Sequence, residues 1–316
     1  MQKNLLGNTG LLVTELCFGA LPMGPLQANL SVEKGAEIIR TAVGKGINFI
    51  DTAELYQTYQ QIRMALDGFG GEVIIATKST AETYAEMEKS VIKALKELNR
   101  EHIDIFHLHA AKAKADVFDQ RSGALKCLLD YKEKGVIKAV GISAHAVEVI
   151  DKAADRDDID VVFPIINKIG MGIIGGSAED MLKAISKVHR SGKGLYAMKA
   201  LAGGHLIDRL QEAYDYVRAI PGIASVAVGM VSEKELDINL RIFNGEKISK
   251  DELPQKASSN KKLIITFMCK GCGTCVEVCP NSALRLEDGK AVVNKESCLL
   301  CGYCNPSCPE FAIRLA

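Results

Sequence analysis

The chain has no tryptophan, and aromatic residues make up only 5% of it. It also lacks a charge surplus, because 39 Lys and Arg balance 39 Asp and Glu. A balanced chain has no global field to draw in a polyanion or an anionic bilayer. Neither nucleic acid nor a membrane is therefore expected as a partner. No apolar run reaches the ~18 residues that a membrane span needs. No basic segment followed by an apolar run stands at the start, so a secretory signal is not seen and a cytoplasmic protein is expected. What remains is ordinary globular composition, 47% hydrophobic and 25% charged, over 316 residues. That length allows a large domain plus a small one.

Cysteine is the exception to this evenness. Eight of the ten cysteines lie in the last 48 residues. Cys269, Cys272, Cys275 and Cys279 form C-x2-C-x2-C-x3-C, followed by Pro280. Cys298, Cys301, Cys304 and Cys308 repeat the pattern 29 residues later, followed by Pro309. Three thiolates in such a loop can wrap three corners of a cubane, and the fourth ligand must come from outside it. The proline stops the short helix there. The run resembles the bacterial two-cluster ferredoxins, in which the fourth cysteine of each run ligates the other cluster. The resemblance implies two [4Fe-4S] clusters. One would be held by Cys269, Cys272, Cys275 and Cys308, the other by Cys298, Cys301, Cys304 and Cys279. Zinc ribbons use separated C-x2-C pairs instead, and a disulfide framework needs an oxidising compartment. Cys17 and Cys127 stand alone in apolar surroundings and read as buried, inert thiols.

The first 243 residues alternate short β-rich runs with helical stretches. The runs are 15–19, 47–51, 73–78, 103–109, 137–143, 159–164, 194–199 and 224–229. Most are apolar on both faces, as strands of a buried parallel sheet are. Helical spacing marks the intervals, as with Met87, Val91, Ala94, Leu95 and Leu98 on one face. Further helices are expected near 32–45, 119–134, 178–192 and 232–242, with Ser31 and Ser232 as N-caps. Eight such units predict a (β/α)8 TIM barrel over 1–243. The alternative, a doubly wound sheet, lacks its G-x-G-x-x-G after the first strand. Residues 4–13 read as a β-hairpin able to plug the barrel floor. Polar residues 244–262 read as a linker, and 263–316 as a small α+β ferredoxin-like domain with strands near 283–287 and 291–294.

In a barrel the chemistry sits at the C-terminal ends of the strands. Those ends carry Asp51, Lys78, His109, Ser143, Asn167, Lys199 and Gly229, with Tyr56 shortly after Asp51. The segments IDTAELY (50–56), ATK (76–78), DIFHLH (104–109), GVIKAVGIS (135–143) and MKALAGG (198–204) resemble the aldo-keto reductases. With FGALPMGPLQ (18–27) and the cysteine tail, the chain resembles the subgroup that carries a C-terminal ferredoxin domain. The resemblance implies a catalytic tetrad. Tyr56 would be the general acid, Lys78 would stabilise its anion, Asp51 would hold Lys78, and His109 would orient a carbonyl. His107 shares the inward face of its strand and reads as a deeper core residue.

The nicotinamide contacts depart from that family. Members bind the carboxamide with a Ser-Asn pair and a glutamine; here stand Ser143-Ala144 and Phe163. Val231 takes the place of the cation that pairs with the 2′-phosphate. NAD(P)H binding is therefore expected to be weakened, with Ser143, Asn167, Lys199, Gly203 and Gly229 left as cofactor contacts. Gly203, Gly204 and Gly229 read equally as loop glycines. Flavin stays open as a mediator, since hydride chemistry moves electrons in pairs and each cluster moves one. Leu21, Pro22, Met23, Pro25 and Leu26 are expected to line the pocket, and loop 110–120 to close over it.

Three functions follow. The first is an iron–sulfur oxidoreductase acting on a carbonyl or alcohol, with the clusters relaying electrons to or from a redox protein partner. The second is an ordinary NAD(P)H-dependent reductase with structural or docking clusters. The third is a non-catalytic electron carrier on a barrel scaffold. Oxygen-sensitive clusters fit an anaerobic organism. Analysis of anaerobically purified protein should find about eight iron and eight acid-labile sulfide per chain, four of each for every cubane. Zinc without sulfide would contradict the reading.

Overall fold

The computed structural model describes residues 1–111, 113–249, 251–253, 262–279, 283–295, 298, 304–310 and 312–315. The chain opens with an antiparallel hairpin of β1 (Lys3–Leu5) and β2 (Leu12–Thr14), in register Lys3 to Thr14. Eight parallel strands follow: β3 (Leu16–Gly19), β4 (Phe49–Asp51), β5 (Ile74–Ser79), β6 (Ile103–Ala110), β7 (Ile137–Ala144), β8 (Val161–Pro164), β9 (Gly194–Met198) and β10 (Ile223–Gly229). They pair in sequence order, and β10 pairs β3 to close the barrel. The expected strands match these to within a residue or two.

Helices cover the outside after each strand: Val32–Gly44, Tyr59–Leu66, Tyr84–Leu98, Ser122–Glu133, Val147–Ala154, Ala178–Arg190, Leu210–Arg218 and Glu233–Phe243. Ser31 and Ser232 cap theirs as expected, accepting from the amides of Lys34 and Glu235. Thr83 and Ser177 form full capping boxes with Glu86 and Asp180, a reciprocal bond that satisfies two orphan amides at once. Met87, Val91, Ala94 and Leu98 are buried against the sheet, whereas Leu95 is only partly covered.

Side chains alternate along a strand, and here the alternation stacks two inward layers. The lower layer is apolar and includes Cys17, Phe49, Ile74, Ile105, Ala139 and Val161. Leu6, Leu11 and Val13 of the hairpin join it, so the hairpin closes the floor. Further along these strands the inward positions turn polar, two residues on at Asp51 and His107 and four residues on at Lys78 and Ser143. Apolar packing below thus fixes polar groups above, at the mouth.

The stretch expected as a linker begins on the barrel. Ile248 and Leu253 pack on the main core, and Arg241 pairs with Glu246 and Glu252. Residues 254–261 lie outside the described set. In the C-terminal domain β11 (Leu263–Ile265) pairs antiparallel with β14 (Ile313–Leu315), and β12 (Leu284–Glu287) with β13 (Lys290–Val293). Helical turns Thr274–Glu277 and Cys304–Ser307 lie between. The Asn305 side-chain amide donates to the Leu26 carbonyl in the loop after β3, at 2.9 Å. This bond ties the cysteine domain to the side of the barrel that carries the strand ends.

Among the described residues no helix is long and apolar enough to cross a membrane.

Candidate active site

Neighbouring strands β4 and β5 bring Asp51 and Lys78 together at the mouth. Lys78 is 1% exposed and Asp51 4% exposed, so both ionic groups have left water. The Lys78 ammonium donates to Asp51 Oδ1 and Oδ2 at 2.8 and 2.7 Å and to the Thr52 carbonyl at 2.8 Å. An ammonium has three donors, and all three are engaged. Burial raises the Asp51 carboxyl and lowers the Lys78 ammonium, and the charge of each opposes the shift in the other.

Tyr56 follows in a short 3-10 turn, Glu54–Tyr56, half-buried at the mouth. Lys78 Nζ lies over its ring, 5.0 Å from the centroid. With the ammonium donors engaged elsewhere, Lys78 reaches Tyr56 through charge over the ring face. Burial, then the Asp51 charge, push the phenol well above its ordinary range. His109 stands edge-on to Tyr56, with ring centroids 6.0 Å apart. Burial comes first, then the charges of Lys78, Arg121 and Lys199, and together they lower His109 from 6.5 to about 3. The imidazole is therefore neutral at working pH. Its Nδ1 is buried without a partner among the described residues. A phenol and a neutral imidazole side by side above a fixed cation can protonate one oxygen and hydrogen-bond to it.

The remaining predicted contacts divide. Ser143 is buried at the end of β7, paired in register with His109 and Phe163. Asn167 lies beyond β8, and both ends of its amide hold Met171, at 2.9 and 3.0 Å, so it staples a loop. Lys199 follows β9 in a left-handed conformation, φ 58°. Gly203 and Gly204 are also left-handed in the next loop. Gly229 is required by packing, since a Cβ there would lie 2.3 Å from Pro22 Cγ. Phe163 stacks on Tyr196 at 3.8 Å, inside the barrel. The Val231 amide donates to Glu235 Oε2 at 2.8 Å, so a carboxylate holds that helix start.

Two loop expectations change. Met23, expected to line the pocket, is fully buried in the main core. In loop 110–120, Val117 and Phe118 are buried and Lys112 is outside the described residues. Arg121, next along, donates to the His109 carbonyl at 3.0 Å. Packing anchors that loop.

Sequence reasoning missed three groups: the Thr52 carbonyl, Arg121 and Tyr196. Tyr196 donates to Asp51 Oδ1 at 2.9 Å. Its signal was a polar-tipped residue at an inward position of β9, on the same alternation as Met198.

At the other end of the chain, Cys269, Cys272, Cys275 and Cys308 line one cradle with Leu286, Ala291 and Ile313. The amides of Ala291 and Ala312 donate to the sulfurs of Cys269 and Cys308, each at 3.3 Å. Ala283 does the same for Cys279. Such bonds stabilise thiolates and tune clusters. Among the described residues no three Cys, His, Asp or Glu side chains converge on a single ion. A cubane asks less convergence, since each thiolate takes its own iron. The cradle fits an iron–sulfur cluster. Cys298 is partly exposed and Cys304 buried, while Cys301 lies outside the described residues. Burial raises the thiol of Cys17, and that of Cys127 to about 11, which keeps both protonated.

The depressed His109 makes stability pH-dependent. Unfolded, its imidazole takes a proton near 6.5; folded, it does so only near 3. Its contribution is present above 6.5 and is lost as the pH falls toward 3. The gap in thermal midpoint between wild type and His109→Gln should therefore narrow between about pH 7 and pH 4. A gap independent of pH would contradict the assignment.

Residues 15–219 match the model of the aldo/keto reductase family, and residues 268–312 match a 4Fe-4S dicluster domain. The oxidoreductase YqkF of Bacillus subtilis, itself described as uncharacterized, is 21% identical over 83% of this chain and 97% of its own length. The L-galactose dehydrogenase of Arabidopsis thaliana is 26% identical over 83% of this chain and 82% of its own. An aldo-keto reductase structure from Bacillus halodurans superposes with a TM-score of 0.64 at 22% identity, covering 80% of this chain and 94% of its own. The family match spans more than half of the chain and coincides with the closed barrel and its mouth. The chain belongs to the aldo/keto reductase family and is an oxidoreductase with a C-terminal 4Fe-4S ferredoxin-like domain.

Proposed function

We propose that the chain reduces a small-molecule carbonyl, or oxidises the corresponding alcohol, with two [4Fe-4S] clusters relaying the electrons. The observation that carries this reading is the buried Lys78–Asp51 pair under Tyr56 and beside His109. Tyr56 gives its proton to the carbonyl oxygen, and His109 donates a hydrogen bond to the same oxygen; the carbon would take up a second proton from solvent and two electrons, one supplied through each cluster. Lys78, held by Asp51, stabilises the tyrosinate that results. In the oxidative direction the same groups accept the proton.

Cys269, Cys272, Cys275 and Cys308 would hold one cluster, and Cys298, Cys301, Cys304 and Cys279 the other. Bound there, each would supply one-electron transfer. The division of labour follows the expected domains, with the barrel of 1–243 handling protons and 263–316 handling electrons. A redox protein partner would exchange electrons with the clusters.

Nicotinamide fits the mouth poorly. Ala144 is apolar and fully buried, Phe163 is stacked under the site, and the Val231 amide faces Glu235. A carboxylate at that helix start repels a 2′-phosphate. We derive no hydride step from this donor set.

The Tyr56→Phe variant tests the proton role. It deletes one hydroxyl and keeps the ring. Anaerobic reduction of benzaldehyde with reduced methyl viologen should slow by ~10²–10⁴ with the fold unchanged, the usual cost of losing a positioned acid. Unchanged turnover would move the proton transfer elsewhere.

A further inference from the structure

Asp51 accepts from a donor that lies below the site as well as from Lys78. The Tyr196 phenol, fully buried on β9, donates to Asp51 Oδ1 at 2.9 Å. The same phenol oxygen lies 2.7 Å from His107 Nε2, and His107 is fully buried on β6. The direction of each bond follows from chemistry. An ionised carboxylate only accepts, so the phenol proton points to Asp51. The phenol oxygen must then accept, which places the His107 proton on Nε2. Nδ1 is left as a bare lone pair, and it has no partner among the described residues. The packing is built for this arrangement. A Cβ at Gly141 would lie 2.1 Å from His107 Nδ1, so only glycine admits the ring. Phe163 stacks on the Tyr196 ring, with the planes 11° apart.

We propose that Tyr196 and His107 are positioning residues: a one-way hydrogen-bond chain that holds Asp51 ionised and aimed at Lys78. The proposal rests on the reading in which that pair supports Tyr56. It gives a reason for Phe163, which braces the Tyr196 ring at a position where the family's own pattern has a glutamine. The groups facing Asp51 are Cys17 on β3, Lys78 on β5 and Tyr196, with His107 behind Tyr196; Tyr56 and His109 stand above. His107 and His109 are held neutral by burial and by the Lys78 charge. Cys17 and Tyr196 are held protonated by burial and by the Asp51 charge. Asp51 is therefore the group whose protonation sets the acid limb of activity. Activity needs its ionised form, present above its pKa and lost as pH falls through it. Burial already raises that pKa, and losing a donor raises it further.

The test is the pH profile of Tyr196→Phe, which removes one hydroxyl and leaves the stacked ring. Benzaldehyde reduction with reduced methyl viologen should keep its shape while the acid limb moves up by roughly one to two pH units, the effect of one hydrogen bond to a charged acceptor. His107→Gln retains an N–H donor and should leave the limb near its wild-type place. Carbon-13 spectra of protein labelled at the aspartate carboxyls, assigned with Asp51→Asn, read the same shift without substrate. A wild-type limb and a wild-type Asp51 titration in Tyr196→Phe overturn the proposal, even if Tyr56→Phe is inactive. If Tyr56→Phe is fully active, the reading beneath fails and the proposal with it.

Discussion

The structure turns on one buried ion pair. Removing a carboxylate and an ammonium from water costs several kcal/mol per ion unless every donor and acceptor is met. Here the ammonium is met by both Asp51 oxygens and the Thr52 carbonyl, and the carboxylate by Lys78 and Tyr196. Such a pair persists only where the scaffold fixes both partners. The barrel does so by register: Asp51 pairs with Ala76 on β5, two residues before Lys78, and Lys78 pairs with His107 on β6. The apolar floor beneath keeps water out from below. Mouth chemistry and floor packing are therefore one construction, and a disturbance in either reaches the other.

Much of the fold was legible in the sequence. Parallel strands buried on both faces read as continuous apolar runs, so the eight strands stood out. Ser31 and Ser232 announced their helices by capping chemistry. Harder to see were the helices Tyr59–Leu66, Val147–Ala154 and Leu210–Arg218, which run only 8 or 9 residues and give the 3.6 period little room. The pairing of β11 with β14 was invisible, because it joins the two ends of the C-terminal domain.

The site was legible where chemistry sits at strand ends. Asp51, Lys78, Tyr56 and His109 converge as their positions suggested. Asn167 and Gly229 each have a structural duty that the sequence does not show. Asn167 reads as a polar strand end, but its amide closes a local loop. Gly229 reads equally as a cofactor contact and as a loop glycine, and its lack of a side chain makes room for Pro22. Tyr196 was overlooked because a tyrosine inside an apolar strand looks like core, and most of its ring is core. Only its hydroxyl joins the site, across 145 residues of sequence.

In the proposed reading the barrel handles protons and the C-terminal domain electrons, and the Asn305–Leu26 bond links the two beside Cys304. The central claim is that the barrel's proton-delivering site is served by cluster electrons. The direct measurement is anaerobic benzaldehyde turnover with either reduced methyl viologen or NADPH as sole reductant, in wild type and in Cys304→Ser. The account predicts turnover with viologen that collapses in the variant, and weak NADPH binding by calorimetry. Tight NADPH binding, with NADPH-driven turnover untouched by Cys304→Ser, would contradict it.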